Sequence, residues 1–154
     1  MESTSTTDWI HISTSEISAE ELTTWATRAE SGAVVTFCGT VRDRDDDRDD
    51  VIALEYETDP TLAEARIRAI VATARARWPE LAAVAVHHRV GRVDLLHAAV
   101  VVAVSSPHRR EAFEAAEFCI DTLKESVPIY KRDVWSTGSD WSSDTRPVVD
   151  VPPA

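Results

Sequence analysis

The chain has 154 residues and a mass of 17.0 kDa, which fits one domain of ordinary size. Charged residues make up 28% of it and hydrophobic residues 44%, so neither a disordered chain nor a membrane-embedded body is expected. The formal net charge of −11 argues against a general binder of nucleic acid or of anionic membranes, because such a binder needs a dominant basic surface. A local basic pocket for a small anion is compatible with this charge.

We expect residues 1–154 to form a single domain, with a loose Ser/Thr-rich start at 1–7 and a loose Pro-rich end at 148–154. No apolar run approaches the roughly 20 residues that a spanning helix needs, and the polar, acidic N-terminus is unlike a signal peptide. These features predict a cytoplasmic protein. The two cysteines, Cys38 and Cys119, lack metal-ligand spacing, so we expect free, buried thiols and no metal site.

The first half of the chain alternates helical and extended patterns. In chain order it predicts a short helix over 17–30, a well-buried strand over 33–41 with either a bulge or a close backbone approach at Gly39, a solvated loop over 42–50, a half-buried strand over 51–57, and a helix over 61–78 that Pro79 ends. The loop contains six aspartates and three arginines and no apolar residue.

The second half predicts strands over 84–91 and 98–106, a long helix over 109–126, and a strand over 129–134 after Pro128. The continuous valines of the 98–106 strand indicate burial on both faces. Four residues give the helix its expected buried stripe: Phe113, Ala116, Ile120 and Leu123. The fold class is therefore α+β, a mostly antiparallel sheet packed with two main helices.

Cations stand at the ends of several predicted elements in a chain that is otherwise acidic. His108, Arg109 and Arg110 open the last helix, where positive charge is ordinarily unfavourable. An anion such as phosphate bound at that helix end would make these cations favourable. The alternative is a solvated basic cluster that pairs with Glu111 and Glu114.

Lys124 borders the apolar face of the same helix, near Lys131 and Arg132 of the next strand. A partly desolvated lysine has a lowered pKa and can serve as a base or nucleophile. The alternative is that its stem packs while its ammonium reaches water. Arg109 and Lys124 are 15 positions apart, about 22 Å along one helix, so a small substrate touches both only if two copies of the chain form the site.

The adjacent histidines His87 and His88 lie on a predicted strand, so their side chains point to opposite faces of the sheet. A metal ion held by both is therefore not expected. We interpret them as ordinary hydrogen-bonded strand histidines.

Four segments together carry a family resemblance: GAVVTFCGTVRDR at 32–44, ARARWPELAAVAVHHRVG at 74–91, VSSPHRREAFEAAEFCIDTLKESVPIYKRD at 104–133, and GSDW at 138–141. They resemble, in order and spacing, the large, catalytic subunit of molybdopterin synthase. The resemblance implies a sulfurtransferase of molybdenum cofactor biosynthesis with an α/β-hammerhead type of fold. It implies conversion of cyclic pyranopterin monophosphate into molybdopterin by installation of a dithiolene.

The resemblance also implies partners and roles. Sulfur would arrive as the C-terminal Gly-Gly thiocarboxylate of a small ubiquitin-like subunit, in a heterotetramer built on a central homodimer of large subunits, with no cofactor. Lys124 and Lys131 match the family's essential lysines. Arg42, His108 and Arg109 match substrate-binding cations, and Phe37 matches an aromatic lining position.

This sequence departs from the family pattern in the acidic loop at 42–50, where relatives tend to carry Asn, His and Gly. The residues leave two further hypotheses open. One is a catalytically inactive paralogue, and the other is a module that only binds a ubiquitin-like sulfur carrier. Retention of both lysines and of the His-Arg pair favours the active enzyme.

Overall fold

The computed structural model of the protein describes residues 1–143 and 146–154. The described residues form three helices and nine strands: β1 (Glu2–Thr4), β2 (Asp8–Ser13), α1 (Ala19–Ala26), β3 (Ala33–Thr40), β4 (Ala53–Glu57), α2 (Pro60–Arg77), β5 (Ala83–Arg89), β6 (Gly91–Asp94), β7 (Ala98–Ser106), α3 (Arg109–Ser126), β8 (Tyr130–Trp135) and β9 (Gly138–Trp141). This confirms the α+β class. The strands, however, make two sheets where the sequence predicted one.

The larger sheet has five strands in the order β1-β2-β5-β7-β3, and only the β2–β5 pair of this sheet is parallel. β7 lies inside it, with α1 on one face and α2 and α3 on the other, so the predicted burial on both faces is confirmed. β3 lies at an edge and is only half-buried, which corrects the expectation of a well-buried strand. The expected irregularity at Gly39 is present as a register shift between Gly39 and Thr40.

The smaller sheet has the order β6-β4-β8-β9, and all its pairs are antiparallel. It joins the larger sheet where β5 continues through Val90 into β6, whose first residue, Gly91, has a φ of 78° that favours glycine. Val41, Val93 and Ala99 form a small buried cluster at this junction, with Leu54 packed against it. The acidic loop leads from β3 of one sheet to β4 of the other.

Local signals explain the long helices. Asp59 caps α2 by accepting hydrogen bonds from the Thr61 and Leu62 backbone, and Pro60 occupies the first turn, where a missing N–H costs nothing. In α3 the buried face begins at Ala112, and Phe113 is 61% exposed, so the prediction that Phe113 is buried is wrong. No helix in the described part of the chain is long and apolar enough to cross a membrane.

Both ends of the chain, for which loose segments were expected at 1–7 and 148–154, make hydrogen bonds to other elements. The first strand pairs with β2, and the Met1 ammonium donates to the Ile12 carbonyl at 2.8 Å. At the other end, Val149 N–H donates to the Glu125 carbonyl at 2.9 Å, and Thr73 Oγ1 donates to the Pro152 carbonyl at 2.6 Å. The final segment is therefore hydrogen-bonded to both α2 and the end of α3.

The two cysteines have different surroundings. Cys119 is buried in the core, and this burial raises the pKa of its thiol to about 12. Cys38 is exposed on the edge strand β3, so the expectation of two buried thiols holds only for Cys119. Both are free, as expected.

Candidate active site

Lys124 lies in the last turn of α3, beside a buried histidine of β5. Its ammonium is close enough to His88 to lower the pKa of the imidazole. Strand residues two positions apart lie on the same face, so His88 shares a face with the core residues Val84 and Val86. This is the face of the larger sheet that α2 and α3 cover. Lys124 itself is exposed. The helix end thus places an ammonium at the rim of a buried imidazole.

Lys131 approaches the same place from the smaller sheet. It stands directly opposite Tyr56 in the β4–β8 ladder, so the two side chains leave the same face of that sheet. The Tyr56 ring meets the His88 ring edge-on, with centroids 5.0 Å apart. Lys124 and Lys131 therefore converge on the His88–Tyr56 pair from two different elements, and they are the only lysines in the sequence.

His88 is held in one protonation state and one tautomer. Burial lowers the pKa of His88 to about 4, so the ring is neutral at pH 7. Its Nδ1 lies 2.6 Å from the carbonyl oxygen of Arg89. Since a carbonyl only accepts hydrogen bonds, Nδ1 carries the proton, and Nε2 presents a lone pair. A neutral imidazole attracts a nearby ammonium group and leaves the positive charge of that group in place.

Phe37 and Arg42 lie toward the same end of the larger sheet. Phe37 packs against the core that α2 and α3 cover. A Cβ at Gly39 would lie 3.3 Å from the Phe37 ring, so the glycine leaves room for that ring over the strand. Arg42 is exposed just after β3. The backbone N–H of its neighbour Val41 donates to the His97 carbonyl in the β6–β7 turn at 2.9 Å. An aromatic surface and a guanidinium therefore accompany the two lysines.

His108 and Arg109 lie at the opposite end of the sheet. The β3–β7 register pairs Ala33 with Ser106, next to the start of α3, and Thr40 with Ala98 at the far end. Within residues 1–143 and 146–154 the side chains of His108 and Arg109 make no hydrogen bond or ion pair, and both residues are exposed, while Ser106 Oγ donates to the His108 carbonyl. Arg110, in contrast, pairs with Glu114 at 3.0 Å. Within one protomer, His108 and Arg109 therefore lie far from the two lysines, as the length of α3 predicts.

Two other possible sites lie away from this one. A cleft of about 480 Å³ is lined by Trp9, Trp25 and the first turn of α1, on the face of the sheet that α1 covers. Among the described residues, no group of three or more His, Cys, Asp or Glu side chains is arranged to hold a metal ion. His87 faces Trp9 and His11, away from His88, as the strand alternation predicts.

Sequence reasoning did not place Tyr56, Asp45 or Asp133 near the lysines, and it interpreted His88 as purely structural. Tyr56 and Lys131 are 75 positions apart, and only the pairing of β4 with β8 brings them together. Asp133 directly follows the cations Lys131 and Arg132, so no local apolar pattern marks it as pointing inward.

Comparison with known proteins adds an independent observation. The sequence model of a family described as MoaE protein matches residues 12–126. The chain belongs to the MoaE family. It is 39% identical to the molybdopterin synthase catalytic subunit of Taeniopygia guttata, with 89% of this chain and 88% of that protein covered. It is 40% identical to that of Bacillus subtilis, with 86% and 83% covered.

The fold agrees with solved structures of the MoaE family. The molybdopterin synthase structure from Staphylococcus aureus superposes with a TM-score of 0.78 at 34% identity, covering 86% of this chain and 95% of that one. The resemblance seen in the sequence is thereby confirmed. So is the expected function, that of an enzyme catalysing molybdopterin synthesis, which the relatives' names favour over the inactive paralogue.

Proposed function

We propose that this MoaE-family chain transfers sulfur from the C-terminal thiocarboxylate of a small ubiquitin-like subunit to cyclic pyranopterin monophosphate, forming the dithiolene of molybdopterin. The observation that carries the proposal is the convergence of Lys124 and Lys131 on the His88–Tyr56 pair. Attack by a thiocarboxylate passes through anionic oxygen species, and positively charged donors fixed in advance stabilise such species best.

Lys124 and Lys131 are the catalytic residues in this proposal. They stabilise, or transiently hold, the oxyanion and carbonyl species that form as the thiocarboxylate attacks. Both are carried by regular elements, the last turn of α3 and the strand β8, so their backbones are held in place during the reaction. His88 is the buried, neutral neighbour of Lys124 and acts as a positioning residue.

Substrate binding divides between two copies of the chain. Phe37 supplies an apolar wall for the pterin, and Arg42 supplies a cation at the lysine end of one copy. His108 and Arg109 of a second copy supply the phosphate site at the start of α3, where free backbone N–H groups add to the side-chain charge. Their separation from Lys124 within one protomer supports this composite site.

The assembly proposed is a homodimer of this chain within a heterotetramer that includes two small sulfur-carrier subunits. The relatives' name "catalytic subunit" supports the presence of a further subunit. A cytoplasmic location is part of the proposal and is consistent with relatives that are enzymes of cofactor biosynthesis.

Reconstitution from purified components tests this function. The chain is mixed with thiocarboxylated partner and cyclic pyranopterin monophosphate, and dithiolene formation is followed over time. We expect product with the complete mixture and none when the partner carries an ordinary carboxylate. A tight complex that gives no product would support the binding-module hypothesis and refute the proposed activity.

A further inference from the structure

The acidic loop at 42–50 is an organised turn centred on Asp45. The Asp45 N–H donates to the Arg48 carbonyl at 2.9 Å. In return, Asp45 Oδ1 accepts from the Asp47 and Arg48 backbone at 2.9 and 3.0 Å. These bonds fold the loop around one carboxyl group and leave Asp45 Oδ2 to face elsewhere.

Asp45 Oδ2 faces a second carboxyl group, that of Asp133 on β8. Asp133 is 1% exposed, and the two carboxyl groups are within hydrogen-bonding range of each other. Asp45 Oδ2 and Asp133 Oδ1 are both buried, and neither has another hydrogen-bond partner among the described residues. Two ionised carboxylates only accept hydrogen bonds, so this contact is favourable only when one of them carries a proton.

The charges around the pair do not remove the need for that proton. Arg48 Nε lies 3.7 Å from Asp133 Oδ2, and its guanidinium also reaches Asp140 at 3.8 Å and the Trp135 ring at 3.8 Å. Lys131 acts on both carboxyl groups through its charge. Asp140 of β9 is a third acid, and it competes with Asp133 for Arg48.

The titration of the two acids agrees with this geometry. Burial, followed by the contact with Asp45, raises the pKa of Asp133 to about 7. The hydrogen bond from Asp133 lowers the pKa of Asp45, against the opposing effect of burial. The proton therefore belongs on Asp133, which donates to the Asp45 carboxylate.

We propose that Asp45 and Asp133 share one proton and that this hydrogen bond fastens the acidic loop to β8 beside Lys131, making the two acids a positioning pair for that lysine. Asp133 is two residues from Lys131 on one strand, so both side chains leave the same face. Loss of the proton puts two negative charges side by side, which repels the loop from β8. The same loss adds a negative charge near Lys131 and stabilises its ammonium form.

The inference rests on the proposed function only for its effect on catalysis, so its structural part is tested without substrate. Infrared difference spectra should show a protonated carboxyl group in the wild type that titrates near pH 7 and is missing in Asp133→Asn. Asp46→Asn, which removes one exposed loop charge, is the matched control and should keep the band. Absence of a protonated carboxyl below pH 7 in the wild type would overturn the inference.

Hydrogen exchange tests the fastening of the loop. After correction for intrinsic rates, the Asp47 and Arg48 amides of the wild type should lose protection as the pH rises through 7. Asp133→Asn should keep them protected, because an asparagine amide donates to Asp45 at any pH. Asp45→Asn should behave like Asp133→Asn, and Asp46→Asn like the wild type. Equal loss of protection in all four proteins would refute the shared proton.

The positioning role has its own measurements. The lysines are reductively methylated with ¹³C, which gives one NMR signal for each lysine besides that of the N-terminal amine, and the pH profile of sulfur transfer is recorded. In the wild type we expect activity to fall as Asp133 loses its proton, and in Asp133→Asn we expect that fall to be absent. An unchanged profile and an unchanged Lys131 titration would overturn the positioning role. Inactivity of every protein, with the spectra as expected, would refute the proposed function alone.

Discussion

Rescue of activity in mixed dimers tests the composite site, because the structure places Lys124 and Arg109 about 22 Å apart on one helix. Lys124→Ala and Arg109→Ala are each expected to be inactive. In a hybrid dimer one site carries both substitutions and the other carries neither. An equal mixture with free exchange is half hybrid, and each hybrid has one intact site of two, so about a quarter of wild-type activity should return.

The matched control mixes Lys124→Ala with Lys131→Ala. Both lysines converge on the His88–Tyr56 pair of the same chain, so every site in that hybrid lacks one lysine, and no rescue is expected. Dithiolene formation is measured after subunit exchange has been verified by native mass spectrometry. Failure of the first mixture, or recovery in the second, would refute the assignment of residues to the two copies.

Three further outcomes are expected. Lys131→Ala should slow sulfur transfer by roughly 100-fold or more, as loss of an oxyanion donor does, with a change in the free energy of unfolding below about 1 kcal/mol by urea titration. Because the pKa of His88 is lowered from 6.5 to about 4, folding stability should fall as the pH drops through that window, by up to roughly 3 kcal/mol. His88→Gln should remove that part of the slope, and an unchanged slope would contradict the neutral, buried imidazole. A Cβ at Gly32 would lie 2.6 Å from the Pro107 carbonyl oxygen, so Gly32→Ala should cost about 1–3 kcal/mol in urea, whereas the exposed Glu30→Ala should cost less than about 0.5 kcal/mol.

The sequence predicted best those elements that local chemistry delimits. The 109–126 helix has the predicted bounds, and α2 differs from its prediction by one residue at each end. Prolines at 60, 79, 107 and 128 restrict the backbone at these ends whatever the tertiary context. The valine-rich strand over 98–106 was equally clear, because only a strand covered on both faces is so uniformly apolar.

Four of the described strands, β1, β2, β6 and β9, were not predicted, and two of them show why local pattern was insufficient. β2 alternates Ile10 and Ile12 with Trp9 and His11, but Trp9 directly precedes Ile10 and the strand has only six residues, so the period of two is short. The four residues of β9, Gly138–Trp141, are all exposed, so no buried face marks them as a strand. Both exist because a neighbouring strand offers unpaired backbone groups.

The residues of the site also divide into those that local sequence identifies and those that only the tertiary structure brings together. Lys124, Lys131, Arg42, Phe37, His108 and Arg109 were selected from local position and family resemblance, and the structure shows where each lies. The pairing of Tyr56 with Lys131, and of Asp45 with Asp133, depends on strand register and loop closure across dozens of residues. No short window of sequence contains that information.

Transfer of isotopically labelled sulfur is the most direct test of the central claim that Lys124 and Lys131 form the sulfur-transfer centre. The partner's thiocarboxylate is labelled, and the label in the pterin product is measured in a single turnover. We predict label in the product with the wild type and with Arg92→Ala, an exposed cation on β6. Lys124→Ala and Lys131→Ala should leave the label on the partner. Transfer at the wild-type rate by either lysine variant would contradict the account.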